Sequence, residues 1–207
     1  MRSLTRLSVA VLALSLAGVS RTALAQDRPD ALVMRVTQDV MDHVKSNKDI
    51  QAGMQKPLLD LIDARIIPFV DFQRMTAVAT GRAWGDATPQ QQQQLVDEFQ
   101  TVLRFTYGGA LSSIKDQKIE YQPLRADPAE TEVQVNSAVL SPRGEPFELD
   151  YRLEKTAVGW KFYDMNIEGA WLVESYRVSF ASEIAKGGID GLIKALIKIN
   201  QKFVSHR

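Results

Sequence analysis

The sequence predicts an α+β domain in which helices pack on one face of a small, four-stranded antiparallel sheet. Amphipathic helical segments flank a single block of short segments in which apolar and polar residues alternate, the period of a half-buried strand. Short turns separate these segments, which is typical of an antiparallel meander with one apolar face. Helices are available to cover that face, and strands gathered in one block indicate the α+β class.

Three helices are predicted before residue 81. The first covers residues 30–46, where apolar side chains recur every four residues. The second covers 54–67 and ends at Pro68, because proline lacks the amide that a helix interior needs. The third lies within 69–80, with Asp71 as its N-cap.

The longest uninterrupted helix is predicted to begin at Thr88. Threonine at the N-cap, proline at the first helical position and Gln91 at the third form a helix-start pattern. An apolar stripe follows to residue 114, with a mild weakness at Gly108-Gly109.

Four strands follow, near residues 117–123, 132–139 and 147–154 and from Trp160 onward. The last strand passes into an amphipathic helix that Gly187-Gly188 interrupts before a final apolar stripe.

Residues 1–25 are predicted to be a secretory signal peptide. Two arginines precede an apolar run of the length that export signals have, and Ala23-Leu24-Ala25 is an A-x-A cleavage site. The mature chain, 26–207, is then expected to be one exported periplasmic domain, and a monomer. The absence of cysteine means that its core alone must hold it together.

The composition and motifs favour binding over catalysis. The formal net charge is zero, so no basic excess attracts nucleic acid. Two histidines and no cysteine give no usable set of metal ligands, and the sequence contains neither a nucleophile elbow nor a phosphate-binding loop. Asp164 interrupts an apolar strand, which predicts a buried carboxylate paired with Arg177 or with a backbone turn. No catalytic residue, metal or cofactor is predicted.

The segment 162–192 resembles the C-terminal signature of the MlaC-like, toluene-tolerance family of periplasmic phospholipid-binding proteins. Residues 69–75 and the Thr88-Pro89 helix start also fit that family, whereas 115–144 diverges. The matching positions are Tyr163-Asp164, Ile167-Glu168-Gly169, Leu172-Val173, Tyr176-Arg177, Phe180, Ile184 and Gly187-Gly188-Ile189-Asp190-Gly191-Leu192.

The resemblance implies an α+β fold whose apolar cavity takes phospholipid acyl chains. It also implies a shuttle between an outer-membrane lipoprotein/porin complex and an inner-membrane ABC transporter complex with MCE domains, in a lipid-asymmetry pathway. On this basis the cavity wall is predicted to be Phe72, Leu103, Tyr107, Val135, Leu149, Tyr151, Tyr163, Met165, Leu172, Val173, Tyr176 and Phe180. Gly187-Gly188 and Gly108-Gly109 are candidate flexible points.

Three alternatives remain open at this point. A related branch of the family could carry hopanoids or other polycyclic lipids. A small α+β enzyme could use Asp164 as a base. A chaperone-like adaptor with a solid core would have no cavity at all.

Overall fold

The computed structural model describes residues 28–127, 129–142 and 144–205, and the predicted signal peptide lies outside them. The helices are α1 (Pro29–Ser46), α2 (Lys48–Gln51), α3 (Gln55–Arg65), α4 (Phe72–Thr80), α5 (Pro89–Leu111) and α6 (Leu172–Ser205), with 3-10 turns at Ile67–Phe69 and Gly81–Asp86. The strands are β1 (Lys118–Tyr121), β2 (Glu132–Val135), β3 (Ser137–Leu140), β4 (Phe147–Thr156), β5 (Gly159–Ile167) and β6 (Ala170–Trp171).

The predicted helix starts are confirmed by their caps. The Thr88 hydroxyl accepts a hydrogen bond from the Gln91 amide at 3.2 Å, and the Gln91 side chain accepts one from the Thr88 amide at 2.9 Å. The Asp71 carboxylate accepts from the Arg74 amide at 2.8 Å and so begins α4. These bonds satisfy amides that have no partner inside their helix.

The sheet is antiparallel, as predicted, but it has six strands rather than four. Its order is β1-β3-β4-β5-β6, and β2 pairs with β4 beside β3. The expected strand 132–139 divides in two because the Ser137 amide donates to the Asp150 side chain at 2.9 Å. The extra strand β6 returns from a two-residue turn at Glu168 (φ 54°) and Gly169 (φ 85°), the signs of a type I′ hairpin.

Helices contact both faces of the sheet, whereas the sequence predicted one. The first half of helix α1 packs Leu32, Val33 and Val36 on the apolar face, whereas Val40 and Val44 pack against α2 and α3. On the opposite face, Arg74 from α4 forms ion pairs with Glu132 of β2 at 2.8 Å and with Glu154 of β4. The first turn of α6 also reaches this polar face, through Val173. The polar side chains that alternation assigns to solvent therefore hold helices in place.

No helix within residues 28–127, 129–142 and 144–205 has both the length and the apolar character needed to cross a bilayer.

Candidate functional site

Among the described residues, the apolar side chains in and around the predicted wall form two clusters. The helical cluster joins α4, α5 and α6, and its buried members are Met75, Ala79, Leu95, Phe99, Val102, Leu103, Val173, Phe180, Leu192, Ile193 and Leu196. The sheet cluster joins α1 to the apolar face of the sheet, and its buried members are Leu32, Val33, Val36, Val133, Val135, Tyr151, Leu153 and Phe162.

The predicted wall divides between these clusters. Its members in or against the helical cluster are Phe72, Leu103, Tyr107, Val173, Tyr176 and Phe180. Its members in or against the sheet cluster are Val135, Leu149, Tyr151 and Met165. Leu172 is buried at the start of α6. Tyr163 lies outside both clusters, beside Glu132 on the polar face of the sheet. The structure thus brings ten of the twelve residues into two groups rather than one.

Tyr163 lies on the polar face of the sheet because of a β-bulge. Arg152 pairs with Asp164 but Leu153 pairs with Phe162, so Tyr163 is the extra residue. Its hydroxyl donates to Glu132 at 3.1 Å, and the Arg74 guanidinium lies 4.2 Å from its ring centroid. The bulge reverses the alternation, which places Phe162 rather than Tyr163 on the apolar face.

Aromatic rings form the centre of the helical cluster. Phe99 is fully buried, and its ring meets those of Tyr176 and Phe180 edge-on at centroid distances of 4.8 and 5.0 Å. Edge-on contacts of this kind add stability beyond the buried area. Burial, with a smaller contribution from the neighbouring Tyr107, raises the pKa of Tyr176 to about 12. The phenol, which is neutral at physiological pH even at its ordinary pKa, suits an apolar environment.

The two clusters meet at Val70, which packs against both. Val70 forms a parallel bridge with Phe162 of β5, and the next amide, that of Asp71, donates to the Phe162 carbonyl at 2.7 Å. The backbone just before α4 therefore covers the outer edge of β5 and links the helical cluster to the sheet cluster.

Asp164 fastens α6 to the sheet beside this junction. One carboxylate oxygen accepts hydrogen bonds from the amides of Val173 at 3.0 Å and Met165 at 2.9 Å. The other accepts from Arg152 at 3.2 Å, and that guanidinium lies 3.8 Å from the Trp171 ring centroid. The predicted burial is confirmed, since Asp164 is 2% exposed, but its side-chain partner is Arg152 rather than Arg177.

This geometry makes Asp164 an anchor rather than a base. Burial raises the pKa of its carboxyl, while the two amides and Arg152 act in the opposite direction. Both oxygens are engaged in hydrogen bonds: a substrate would have to separate α6 from β5 to reach one of them, and to displace Arg152 to reach the other. The described residues also contain no group of three or more His, Asp or Glu side chains arranged to hold a metal ion.

Two surface grooves lie away from the predicted wall. One, of about 390 Å³, is lined by α5 and α6 residues including Thr101 and Ile197. The other, of about 300 Å³, lies at the turn between β4 and β5 and includes Leu32 and Trp160. No wall residue lines either groove, and Leu103, Val173 and Phe180 are packed against neighbouring side chains.

The predicted wall omits several residues that organise these clusters. Phe99 lies in the predicted apolar stripe of α5, and its spacing identifies it as a core residue. Phe162 was assigned to the apolar alternation of the last strand, but the bulge that puts it on the wall side in place of Tyr163 was not foreseen. Arg152 was not identified because twelve residues separate it from Asp164. Val70 has no sequence pattern that reveals its position between the clusters.

Comparison with known proteins identifies relatives over most of the chain. Residues 34–198 match the family model described as "MlaC protein". The toluene tolerance protein ttg2D of Pseudomonas putida is 26% identical over 176 residues, covering 84% of this chain and 81% of that protein. The intermembrane phospholipid transport system binding protein MlaC of Haemophilus influenzae is 21% identical over 178 residues, covering 84% and 83%.

A solved structure gives a closer likeness. The phospholipid-binding protein from Ralstonia solanacearum, determined in complex with a phospholipid, is 42% identical to this chain and superposes with a TM-score of 0.81. The match covers 86% of this chain and 99% of the solved one.

Proposed function

The chain belongs to the MlaC protein family, and from this premise we propose that it is a periplasmic phospholipid carrier. The observation that supports this most strongly is the bound phospholipid in the Ralstonia solanacearum protein, given the similarity over nearly all of that chain. The two apolar clusters supply the second support, since they meet at Val70 and together contain ten of the twelve residues of the predicted wall.

Physical chemistry explains why such a carrier is needed. Each buried methylene is worth about 0.8 kcal/mol, so exposing a 16-carbon chain to water costs on the order of 12 kcal/mol. A diacyl lipid therefore leaves a membrane very slowly on its own. A protein that encloses the acyl chains removes most of that barrier, and it has no need to hold the head group tightly.

In our proposal the acyl chains enter at the junction of the helical cluster and the sheet cluster, where Val70 follows the outer edge of β5, and contact the predicted wall. Because residues such as Phe180 (2% exposed) are tightly packed here, loading requires the clusters to separate. A lipid or a partner that prefers the separated state would shift the population toward it. The non-helical backbone at Gly187 and Gly188 offers a point about which the first half of α6 could move.

The test is to purify the mature protein from bacteria, extract it with organic solvent and analyse the extract by mass spectrometry. We expect phospholipid in the extract and uptake of labelled phospholipid from vesicles. A polycyclic lipid in its place would favour the hopanoid branch. Absence of any lipid, together with no uptake, would overturn the proposal.

A paired substitution on α6 tests the wall itself. Val173→Glu places a charge at a residue that is 3% exposed in the helical cluster, so we expect loss of lipid loading. Val178→Glu is the matched control, because Val178 is 74% exposed on the same helix. Circular dichroism and thermal unfolding report whether each variant folds. Equal lipid content in two folded variants would remove Val173 from the wall.

We further propose that the carrier exchanges lipid with an inner-membrane ABC transporter complex containing MCE domains and with an outer-membrane lipoprotein/porin complex. Toluene tolerance and intermembrane phospholipid transport in the names of the relatives support this role. The measurement is transfer of labelled phospholipid from the loaded carrier to each purified complex. Transfer no faster than to protein-free vesicles would contradict that complex as a partner.

A further inference from the structure

The turn between β4 and β5 carries an apolar side chain where turns ordinarily carry polar ones. Thr156 pairs with Gly159, so Ala157 and Val158 form the tip of a two-residue hairpin. Such positions favour Asn, Asp or Gly, yet the Val158 side chain is 81% exposed. The Thr156 hydroxyl donates to the Gly159 carbonyl at 2.7 Å and accepts from the Val158 amide at 3.3 Å. The tip therefore presents Val158 on a well-ordered turn.

Val158 is continuous with other apolar side chains. Together with Leu32, Pro68, Phe69 and Trp160 it lines the groove of about 300 Å³. Single exposed apolar residues are common on protein surfaces, whereas a contiguous apolar patch marks an interaction site. A tryptophan at the edge of such a patch is also typical of residues that lie at a membrane–water interface.

Positive charges surround this patch. Arg35 and Lys161 line the groove, Arg35 lying 5.3 Å from the Phe69 ring centroid and Lys161 donating to the Pro68 carbonyl. Lys155 is the cross-strand partner of Trp160, and alternation puts its exposed side chain on the same face as Leu153. An apolar tip, a tryptophan and three cations at one end of the sheet match the chemistry of an anionic bilayer surface.

We propose that the β4–β5 hairpin end, with Arg35 of α1, is a docking surface for anionic lipid bilayers. Val158 enters the interfacial region, Trp160 lies at the level of the head groups, and Lys155 and Arg35 face the lipid phosphates. Docking is distinct from enclosure of acyl chains, because no residue of the predicted wall lines this groove, although Leu32, Phe69 and Trp160 lie in or against the sheet cluster. The inference therefore goes beyond the carrier function and concerns where the protein meets a membrane.

The experiment is co-sedimentation of the mature protein with vesicles of pure phosphatidylcholine or of equal parts phosphatidylcholine and phosphatidylglycerol. We expect binding to the anionic vesicles only, weakened by added salt because screening reduces the attraction. Lys155→Glu should weaken that binding at least fivefold, since each basic residue near an anionic surface contributes about that factor. Val158→Asp should weaken it to a similar degree, because it removes the apolar tip and adds a negative charge.

Matched controls come from α6. Val178→Asp changes a similarly exposed valine, and Lys198→Glu reverses an exposed lysine on the final apolar helix segment; both should bind anionic vesicles like the unmodified protein. The lipid content of every variant, measured in parallel, should stay unchanged, which separates this inference from the carrier function. The proposal is overturned if the protein binds neither vesicle, binds both equally, or loses as much binding with the α6 variants as with the hairpin variants.

Discussion

Two glycine pairs lie in the two longest helices, and they do different things. Gly108-Gly109 lies inside α5, which continues without interruption from Pro89 to Leu111. Gly187-Gly188 breaks α6, because Gly188 has φ 65° and ψ −162°, a region open essentially to glycine alone. Both pairs were predicted as flexible points. The difference teaches that a glycine pair in a helical pattern indicates either a break or a close contact, and that the backbone angles and the neighbouring side chains distinguish the two.

The close contact at Gly108 is with α3. A Cβ atom built on Gly108 would lie 2.8 Å from the terminal methyl group of Ile62, whereas one built on Gly109 would meet no atom within 4 Å. Gly108 therefore allows α3 and α5 to approach closely. At the other pair, the break lets the two segments of α6 run in different directions, while both contribute to the helical cluster.

The largest expected effect concerns the fixed end of the first α6 segment, opposite its glycine break. Asp164→Ala removes the acceptor for two amides and the partner of the partly exposed Arg152, so we expect a loss of about 2–4 kcal/mol in the free energy of unfolding, chiefly from the unpaired amides. Urea denaturation measures it. Glu174→Ala, an exposed acidic residue in the first turn of α6, is the control. If the two variants lose equally, α6 is not anchored by Asp164.

Gly188→Ala is expected to destabilise the protein by roughly 1–3 kcal/mol, because alanine is strained at this backbone conformation. Thermal unfolding gives the change. If the break serves as a hinge, lipid uptake from vesicles should slow as well. Unchanged uptake would mean that the break does not act as a hinge during lipid loading. Full retention of stability would mean that the chain rearranges into a continuous helix at this point.

Gly108→Leu should destabilise the protein by about 1 kcal/mol. Overpacking against Ile62 costs typically 1–3 kcal/mol, and the better helix propensity of leucine offsets part of this. Gly109→Leu is the matched control and should not destabilise. Similar unfolding midpoints for the two variants would mean that α3 does not restrict position 108.

The smallest expected effect is a gain in stability. Gly109→Ala should stabilise the protein by about 0.5–1 kcal/mol, because alanine loses less backbone entropy than glycine when a helix forms and no neighbouring atom is in the way. Denaturant unfolding checks it. A loss of stability here would show that α5 bends or opens at its glycine pair, as α6 does, and the distinction between the two pairs would fail.

Much of the fold was predictable because its causes are local. The caps at Asp71 and Thr88 depend on residues three positions apart, so the sequence contains the whole interaction. The apolar stripe of α5 and the alternation along β4 depend on the helical and strand periods. The glycine break in α6 was also visible, since Gly187-Gly188 interrupts an amphipathic pattern that continues on both sides.

The sequence by itself determined the α+β class, the helix starts and the resemblance to phospholipid-binding proteins. Tertiary structure decided which side chain pairs with Asp164, on which face Tyr163 lies and that Gly108 packs against α3 instead of interrupting α5. The physical reason is the separation along the chain between the residues that interact. Caps and periodic patterns involve residues a few positions apart, whereas a bulge, a buried ion pair or a helix contact depends on strands and helices that only folding brings together. Tertiary structure also decided the division of the predicted wall into two clusters, since this follows from where α1 and α6 lie on the sheet.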